Sequence, residues 1–192
     1  VVCNRFLSNG KPPWKRADWL VGSTDETVVR ELREALGLDE ELAGWYRECA
    51  PRMGELDFGG NPVQLYGPEE LMDLQMNFSH DLQNMKRDPE WKIDWIVIAD
   101  KGLDPLIYDM KSKGVYYARH GQRDITLKRL SPDLKGWIKA LVVLCEICYL
   151  TYHGRFVDEN GEISPKILQE MKEKLNAFLP GECIGNWWSL LE

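Results

Sequence analysis

The spacing of hydrophobic side chains changes period several times along the chain, and each change marks an expected element. Val28, Val29, Leu32 and Leu36 recur at helical spacing behind Ser23 and Glu26, which have the separation of a capping box, and Gly37 can end that helix in a left-handed conformation. Asp39 opens a second helix with Leu42, Trp45, Tyr46 and Cys49 on one face. Pro51 stops it, so the two helices are expected as a short αα unit. Between Glu55 and Tyr66 the pattern becomes two short β-like pieces around Gly59-Gly60-Asn61-Pro62, which predicts a hairpin. Pro68, Glu69 and Glu70 then start a third helix, with proline in its first turn and acids at the positive end of the dipole. Leu71, Leu74, Phe78, Leu82 and Met85 continue it, and Pro89 sets its limit.

Trp95-Ile96-Val97-Ile98-Ala99 is an unbroken apolar run, rich in aromatic and β-branched residues, as expected of a central strand buried on both faces. Asp100-Lys101-Gly102 breaks the run, and Leu106-Ile107-Tyr108 resumes it as a second strand. Two more strands follow, Val115 to His120 and Arg123 to Leu130. Connections this short force antiparallel pairing, since a parallel crossover needs a dozen or more residues.

Ser131 and Pro132 open a long helix with Leu134, Trp137, Ile138, Leu141, Leu144, Cys145, Cys148 and Tyr152 on its apolar side. Ser164-Pro165 starts a last helix through Ile167, Leu168, Met171 and Leu175, ending near Pro180-Gly181. Asn186 to Leu191 is too apolar for a free tail and is expected to dock. The fold class that follows is α+β, a mostly antiparallel twisted sheet packed by flanking helices. One domain is expected, with an irregular arm over 1–22, a core over 23–152, and a C-terminal helix with its docked tail over 153–192.

Composition narrows the function. At 192 residues, 44% hydrophobic and 29% charged, the chain is of ordinary globular type. Its 31 acidic and 24 basic residues leave a formal charge of −7, which disfavours nucleic acid and anionic membranes and favours a basic partner. Five cysteines is an odd number in a chain too large to need disulfide staples, so free thiols in a reducing compartment are expected. No run reaches the length of a membrane span, and the first residues lack a signal-peptide pattern, so the expected location is cytoplasmic.

Motifs for catalysis are missing. The sequence holds no G-x-S-x-G elbow, no phosphate-binding glycine loop of either common spacing and no H-E-x-x-H pair. Cys145 and Cys148 form a Cys-x-x-Cys inside an apolar helix, with no second pair to complete a zinc site, which favours buried core thiols. Asp158 to Glu162 does not fit a calcium loop, because setting Gly161 at its sixth position puts Phe156 first and Ile167 last. His80, His120 and His153 have no evident partner in sequence, and His120 reads as a turn residue. No metal, no cofactor and no enzymatic activity are expected.

Trp95, Asp100, Gly102, Asp104, Pro105 and Asp109 occur in an order that resembles the core of the SUKH superfamily. In that family a tryptophan-bearing hydrophobic strand is followed by an acidic residue and Gly, then by a strand with Asp-Pro and a terminal Asp. The preceding helix pair, Gly-Gly turn and Pro-Glu-Glu helix and the following Val-Tyr-Tyr strand extend the resemblance over residues 31–152. It implies a protein-binding domain without catalytic residues, of the kind that binds and neutralises a cognate bacterial toxin domain, often a nuclease. The alternatives are a regulatory scaffold of the same superfamily and a hydrolase whose site assembles in space. Asp100, Asp104 and Asp109 admit three readings: solvated turn residues, a partner surface, or a metal or acid/base site. For a basic toxin partner the expected contacts are Asp57, Glu69, Glu70, Asp100 and Asp104, all read as solvent-facing, with Trp91 as an exposed anchor. Trp95 is read as core and the chain as a monomer.

Overall fold

The computed structural model describes residues 24–49, 51, 54–58, 62–81, 83–120 and 125–191. Ser23, the arm over 1–22 and Leu82 lie outside the described residues. The chain's contacts group it into two compact units, the first drawn from residues up to 54 and from 65–86, the second from 55–64 and from 87 onward.

The first unit is helical. Helix α1 (Glu26–Leu36) is capped by Asp25, whose carboxylate accepts from the Thr27 amide at 2.7 Å, and Gly37 ends it at φ 68°. Helix α2 (Glu40–Cys49) starts where the Asp39 carboxylate accepts from the Leu42 amide at 2.8 Å, the cap expected from the sequence. Val29, Leu32, Leu42 and Tyr46 are buried, so the predicted apolar stripes are core.

Helix α3 (Leu71–Ser79) is shorter than predicted. It ends at Ser79 because His80 takes an extended conformation. The Ser79 hydroxyl donates back to the Gln75 carbonyl at 2.6 Å, and the Asp81 carboxylate accepts from the Gln83 amide at 2.9 Å. Polar side chains here offer the backbone turn-forming bonds that compete with the helix ladder. Met85, read as the helix's last apolar contact, is exposed at φ 56°.

The second unit carries all but two residues, Gly54 and Leu65, of a six-stranded sheet whose spatial order follows the sequence. Its strands are β1 (Gly54–Leu56), β2 (Val63–Leu65), β3 (Trp95–Lys101), β4 (Asp104–Asp109), β5 (Val115–Tyr117) and β6 (Lys128–Ser131). From β3 to β6 every pairing is antiparallel. Trp95 pairs with Asp109 and Lys101 with Asp104, so β3 and β4 form a long hairpin joined by a two-residue turn, with one irregularity between Val97 and Ala99. Residues 95–100 and 105–108 are all buried, as a central pair covered on both faces requires.

Asp133 caps helix α4 (Leu134–Cys145), its carboxylate accepting from the Gly136 amide at 2.6 Å; the chain then continues as a π-helical segment, Glu146–Thr151. That change of pitch, absent from the sequence reading, leaves Ile147 and Cys148 buried and lets the Tyr149 hydroxyl reach the Asp57 carbonyl. After α5 (Pro165–Asn176), the apolar tail docks as expected, but as a helix, α6 (Gly181–Leu191). It is tied to β6 by Asn186 Nδ2 on the Arg129 carbonyl at 2.8 Å and by Trp187 Nε1 on the Leu130 carbonyl at 3.0 Å. The fold is α+β with a mostly antiparallel sheet. Among the described residues no helix is long and apolar enough to cross a membrane.

Candidate functional site

The turn joining β3 to β4 brings together three of the polar residues that the sequence singles out, Asp100, Asp104 and His120. Gly102 and Leu103 both have positive φ, 60° and 74°, the backbone of a tight hairpin turn whose twist matches the flanking strands. Glycine takes that conformation freely and leucine does not. Leucine is held there because Asp100 Oδ1 accepts from the Leu103 amide at 2.9 Å while the strands on either side are clamped in register.

Asp104, one residue on, is a hub. Its Oδ2 accepts from the Tyr117 hydroxyl at 2.6 Å, and its Oδ1 accepts from both the His120 amide, at 2.9 Å, and His120 Nδ1, at 2.6 Å. Burial opposes ionisation of Asp104, but the Tyr117 hydroxyl and then the His120 amide and ring outweigh it and hold the carboxyl below its ordinary range. Tyr117 responds in the opposite sense, its phenol pushed up by burial and by the Asp104 carboxylate against the pull of Arg119. Lys101 completes the frame by donating its amine to the Leu190 carbonyl at the end of α6; burial pushes its pKa down.

These contacts correct two expectations. Asp100 is only 9% exposed and Asp104 is half-buried, so neither is the solvent-facing carboxylate expected from the sequence; both brace the turn. His120 lies in a turn, as read from the sequence, and its ring is bound there to Asp104. A carboxylate can only accept, so the proton of its neutral ring sits on Nδ1, facing Asp104, and Nε2 is the nitrogen that can accept. An imidazole oriented this way can take a proton, yet among the described residues no hydroxyl or thiol is hydrogen-bonded to it.

Trp91 is the third correction. The Trp91 amide donates to the Asp88 carbonyl at 3.1 Å and the Trp95 amide to the Lys92 carbonyl at 3.2 Å, folding residues 88–95 back on themselves. The Trp91 ring therefore packs edge-on against Trp95, with centroids 5.5 Å apart, and is 7% exposed. It is core, like Trp95, and it lies at the far end of the hairpin, roughly 17 Å along β3 from Asp100 at 3.3 Å per residue.

Of the remaining expected contacts, Asp57 is exposed just beyond β1, with its carbonyl taken by Tyr149. Glu69 and Glu70 are neighbours in the first unit, in the turn before α3, and Glu70 makes no capping bond there. Its charge lies close enough to Tyr46 to reinforce burial in pushing that phenol up. Asp100 and Asp104 are thus the pair that the structure brings together.

Tyr117 and His120 are the members that sequence reasoning missed. A usable signal exists in the register: Leu106 lies opposite Tyr117, so extending the pairing by two residues sets Asp104 beside Arg119 and His120.

Other chemistry is sparse. Cys145, Cys148 and Cys183 are free and buried; burial pushes the Cys148 thiol up to about 12 and raises Cys145 as well, which removes thiolate character. Asp158 accepts from the Asn160 and Glu162 amides, and these bonds hold its carboxyl low in a turn. No three His, Cys, Asp or Glu side chains among the described residues converge as metal ligands would. A groove of about 560 Å³ lies beside α5 and α6, walled by Ile163, Leu168, Trp188 and Leu191, with Lys172 stacked over the Trp188 ring.

The chain matches no protein-family model and no curated protein.

Proposed function

We propose that this chain is a non-enzymatic protein-binding domain that recognises its partner through the β3–β4 hairpin turn, and that it acts as an immunity protein neutralising a cognate bacterial toxin domain. One observation supports the binding reading above the others: Leu103 stands 64% exposed, in a backbone conformation unfavourable to it, on a turn whose neighbouring polar groups are bonded within the fold. A mostly exposed apolar side chain held in a strained backbone conformation is a natural contact for a partner. Backbone outliers of this kind cluster where proteins make functional contacts. The immunity assignment rests on the resemblance of the Trp95–Asp109 segment to the SUKH superfamily.

Co-expression with the polypeptide encoded immediately beside this gene tests the assignment. Co-purification of the two as a stoichiometric complex, together with protection of the host from that polypeptide's toxicity, is the expected result. Failure of both would sink the immunity reading.

The oriented imidazole of His120 favours a second reading, in which Asp104 and His120 act as a general-base pair on a bound ester or phosphodiester. That reading requires turnover by the purified protein, abolished by His120→Gln.

A further inference from the structure

We infer that the groove beside α5 and α6 binds a short apolar peptide in extended form, with the peptide's ammonium terminus against Glu162 and its carboxylate terminus against Lys172. The inference goes beyond the proposed function and does not depend on it. Leu168 and Lys172, four residues apart on one ridge of α5, line the groove on one side, and Trp188 and Leu191 line it from α6. Asn160, Gly161, Glu162 and Ile163 line it where the chain enters α5. Its volume of about 560 Å³ falls within the roughly 300–1,000 Å³ of small-ligand sites.

Two of these lining residues are charged, and they stand at opposite ends. Glu162 precedes the Ser164 cap of α5, whereas Lys172 lies eight residues beyond that cap, about 12 Å along the helix at 1.5 Å per residue. The Lys172 amine sits 5.1 Å from the centre of the Trp188 ring, a contact that uses its charge and leaves its three N–H donors open. Among the described residues Lys172 has no ion-pair partner, and neither the Glu162 carboxylate nor Trp188 Nε1 has a hydrogen-bond partner.

This spacing selects the occupant. A hydrocarbon ligand leaves both charges unmatched, and a single amino acid holds its own two charges too close together to reach both. An extended peptide rises about 3.3 Å per residue, so roughly four residues bring one terminal charge to each end. Their apolar side chains then lie on Ile163, Leu168, Trp188 and Leu191, and a peptide carbonyl can accept from Trp188 Nε1. The Glu162 end is held in place before any peptide arrives. Asp158 Oδ1 accepts from the Asn160 amide at 2.8 Å and the Glu162 amide at 2.9 Å, and the Asp158 amide donates to the Glu162 carbonyl at 2.9 Å, so little ordering remains to be done on binding.

The test is calorimetric titration of the full chain with the tetrapeptide Ala-Leu-Ala-Leu, with its N-acetylated form and with its C-amidated form. Each cap removes one terminal charge and should weaken binding about two- to fivefold, as the loss of one partly exposed ion pair does. Glu162→Gln should abolish the penalty for acetylation and keep that for amidation, and Lys172→Met should do the converse. Trp188→Ala should weaken all three peptides about tenfold or more, through the lost apolar wall. Circular dichroism verifies the fold of each variant, and the two charge variants carry the test if Trp188→Ala does not fold.

Absence of saturable binding at about 1 mM of the uncapped peptide would overturn the site. Penalties for both caps that persist unchanged in Glu162→Gln and Lys172→Met would overturn the assignment of the two ends. Undiminished binding by folded Trp188→Ala would overturn the groove as the place of binding. None of these results bears on complex formation with the toxin, which the co-purification experiment decides separately.

Discussion

The two ends of strand β4 close in tight turns built alike and finished differently. At one end Asp100 Oδ1 accepts from the Leu103 amide, and at the other Asp109 Oδ1 accepts from the Lys111 amide at 2.9 Å and the Ser112 amide at 3.3 Å. Each turn then places a non-glycine residue at positive φ, Leu103 at 74° and Lys113 at 62°. Lys113 is exposed, and a charged side chain is the ordinary occupant of such a surface position. Leu103 adds an apolar side chain in water to the same backbone cost. The difference lies in the side chains alone: the strained backbone belongs to the meander, and what stands on it is apolar at residue 103 and charged at residue 113.

That conclusion requires both turns to hang from one rigid hairpin, and the largest expected effect tests the hairpin itself. Trp95→Ala removes the ring that packs on Trp91 at the start of β3, where Trp95 pairs with Asp109 beside the Lys113 turn. A loss of about 3–5 kcal/mol in unfolding free energy is expected by denaturant titration. An unchanged midpoint would mean that the hairpin draws no support from this end, and the two turns could not then be compared as parts of one frame.

Smaller effects distinguish the braces. Asp100 is nearly buried and Asp109 is half-exposed, so losing the Leu103 amide's acceptor should cost more than losing those of Lys111 and Ser112. Asp100→Ala is expected to destabilise by about 1–2 kcal/mol and Asp109→Ala by about 0.5–1 kcal/mol, both from thermal melts. The reverse order would show that the solvent-facing turn is the one that sets the register.

Asp104 makes the Leu103 end sensitive to acid. Its carboxyl is held below the ordinary value in the folded state, so its stabilising contribution is fully present above the unfolded-state value near pH 4. That contribution is lost as pH falls through the lower folded value. The stability difference between wild type and Asp104→Asn should therefore be largest near neutrality and shrink steadily below about pH 4. A difference that stays flat into strong acid would mean that the Tyr117 and His120 bonds do not depend on the carboxylate's charge.

Much of this frame is readable in the sequence. The apolar run Trp95 to Ala99, the break at Asp100 to Gly102 and the return at Leu106 specify the β3–β4 hairpin, because fully buried strands leave few residue types to choose from. Gly37 and Asp39 name their caps for a similar reason. Legibility fails where the deciding contact is distant or the competition is local. Trp91 sits in a polar stretch and is buried by a turn that only the structure reveals, and Asp104 meets His120 through strand register across sixteen positions. Helix α3 stops where Ser79, His80 and Asp81 outbid the apolar period that continues past them. The apolar tail is correctly read as docked, yet its helix has no side-chain cap to announce it, and the π-helical turn after Cys145 leaves no mark in the spacing of Ile147 and Cys148.

The smallest expected effect bears most directly on the two turns. Glycine at position 103 or 113 relieves a left-handed conformation that costs an L-residue about 1–2 kcal/mol, and returns about 0.5–1 kcal/mol of that as extra freedom of the unfolded chain. Leu103→Gly and Lys113→Gly should therefore each stabilise the protein by about 0.5–1 kcal/mol, measured by denaturant unfolding in the same buffer. Near-equality is the decisive feature. If the Leu103 side chain rested on the fold, as its hydrophobicity alone would lead one to expect, its removal would forfeit buried area and the gain at 103 would fall well below that at 113, or turn into a loss. Equal gains would show that the isolated domain derives no stability from the leucine, as the proposed binding role of this turn requires.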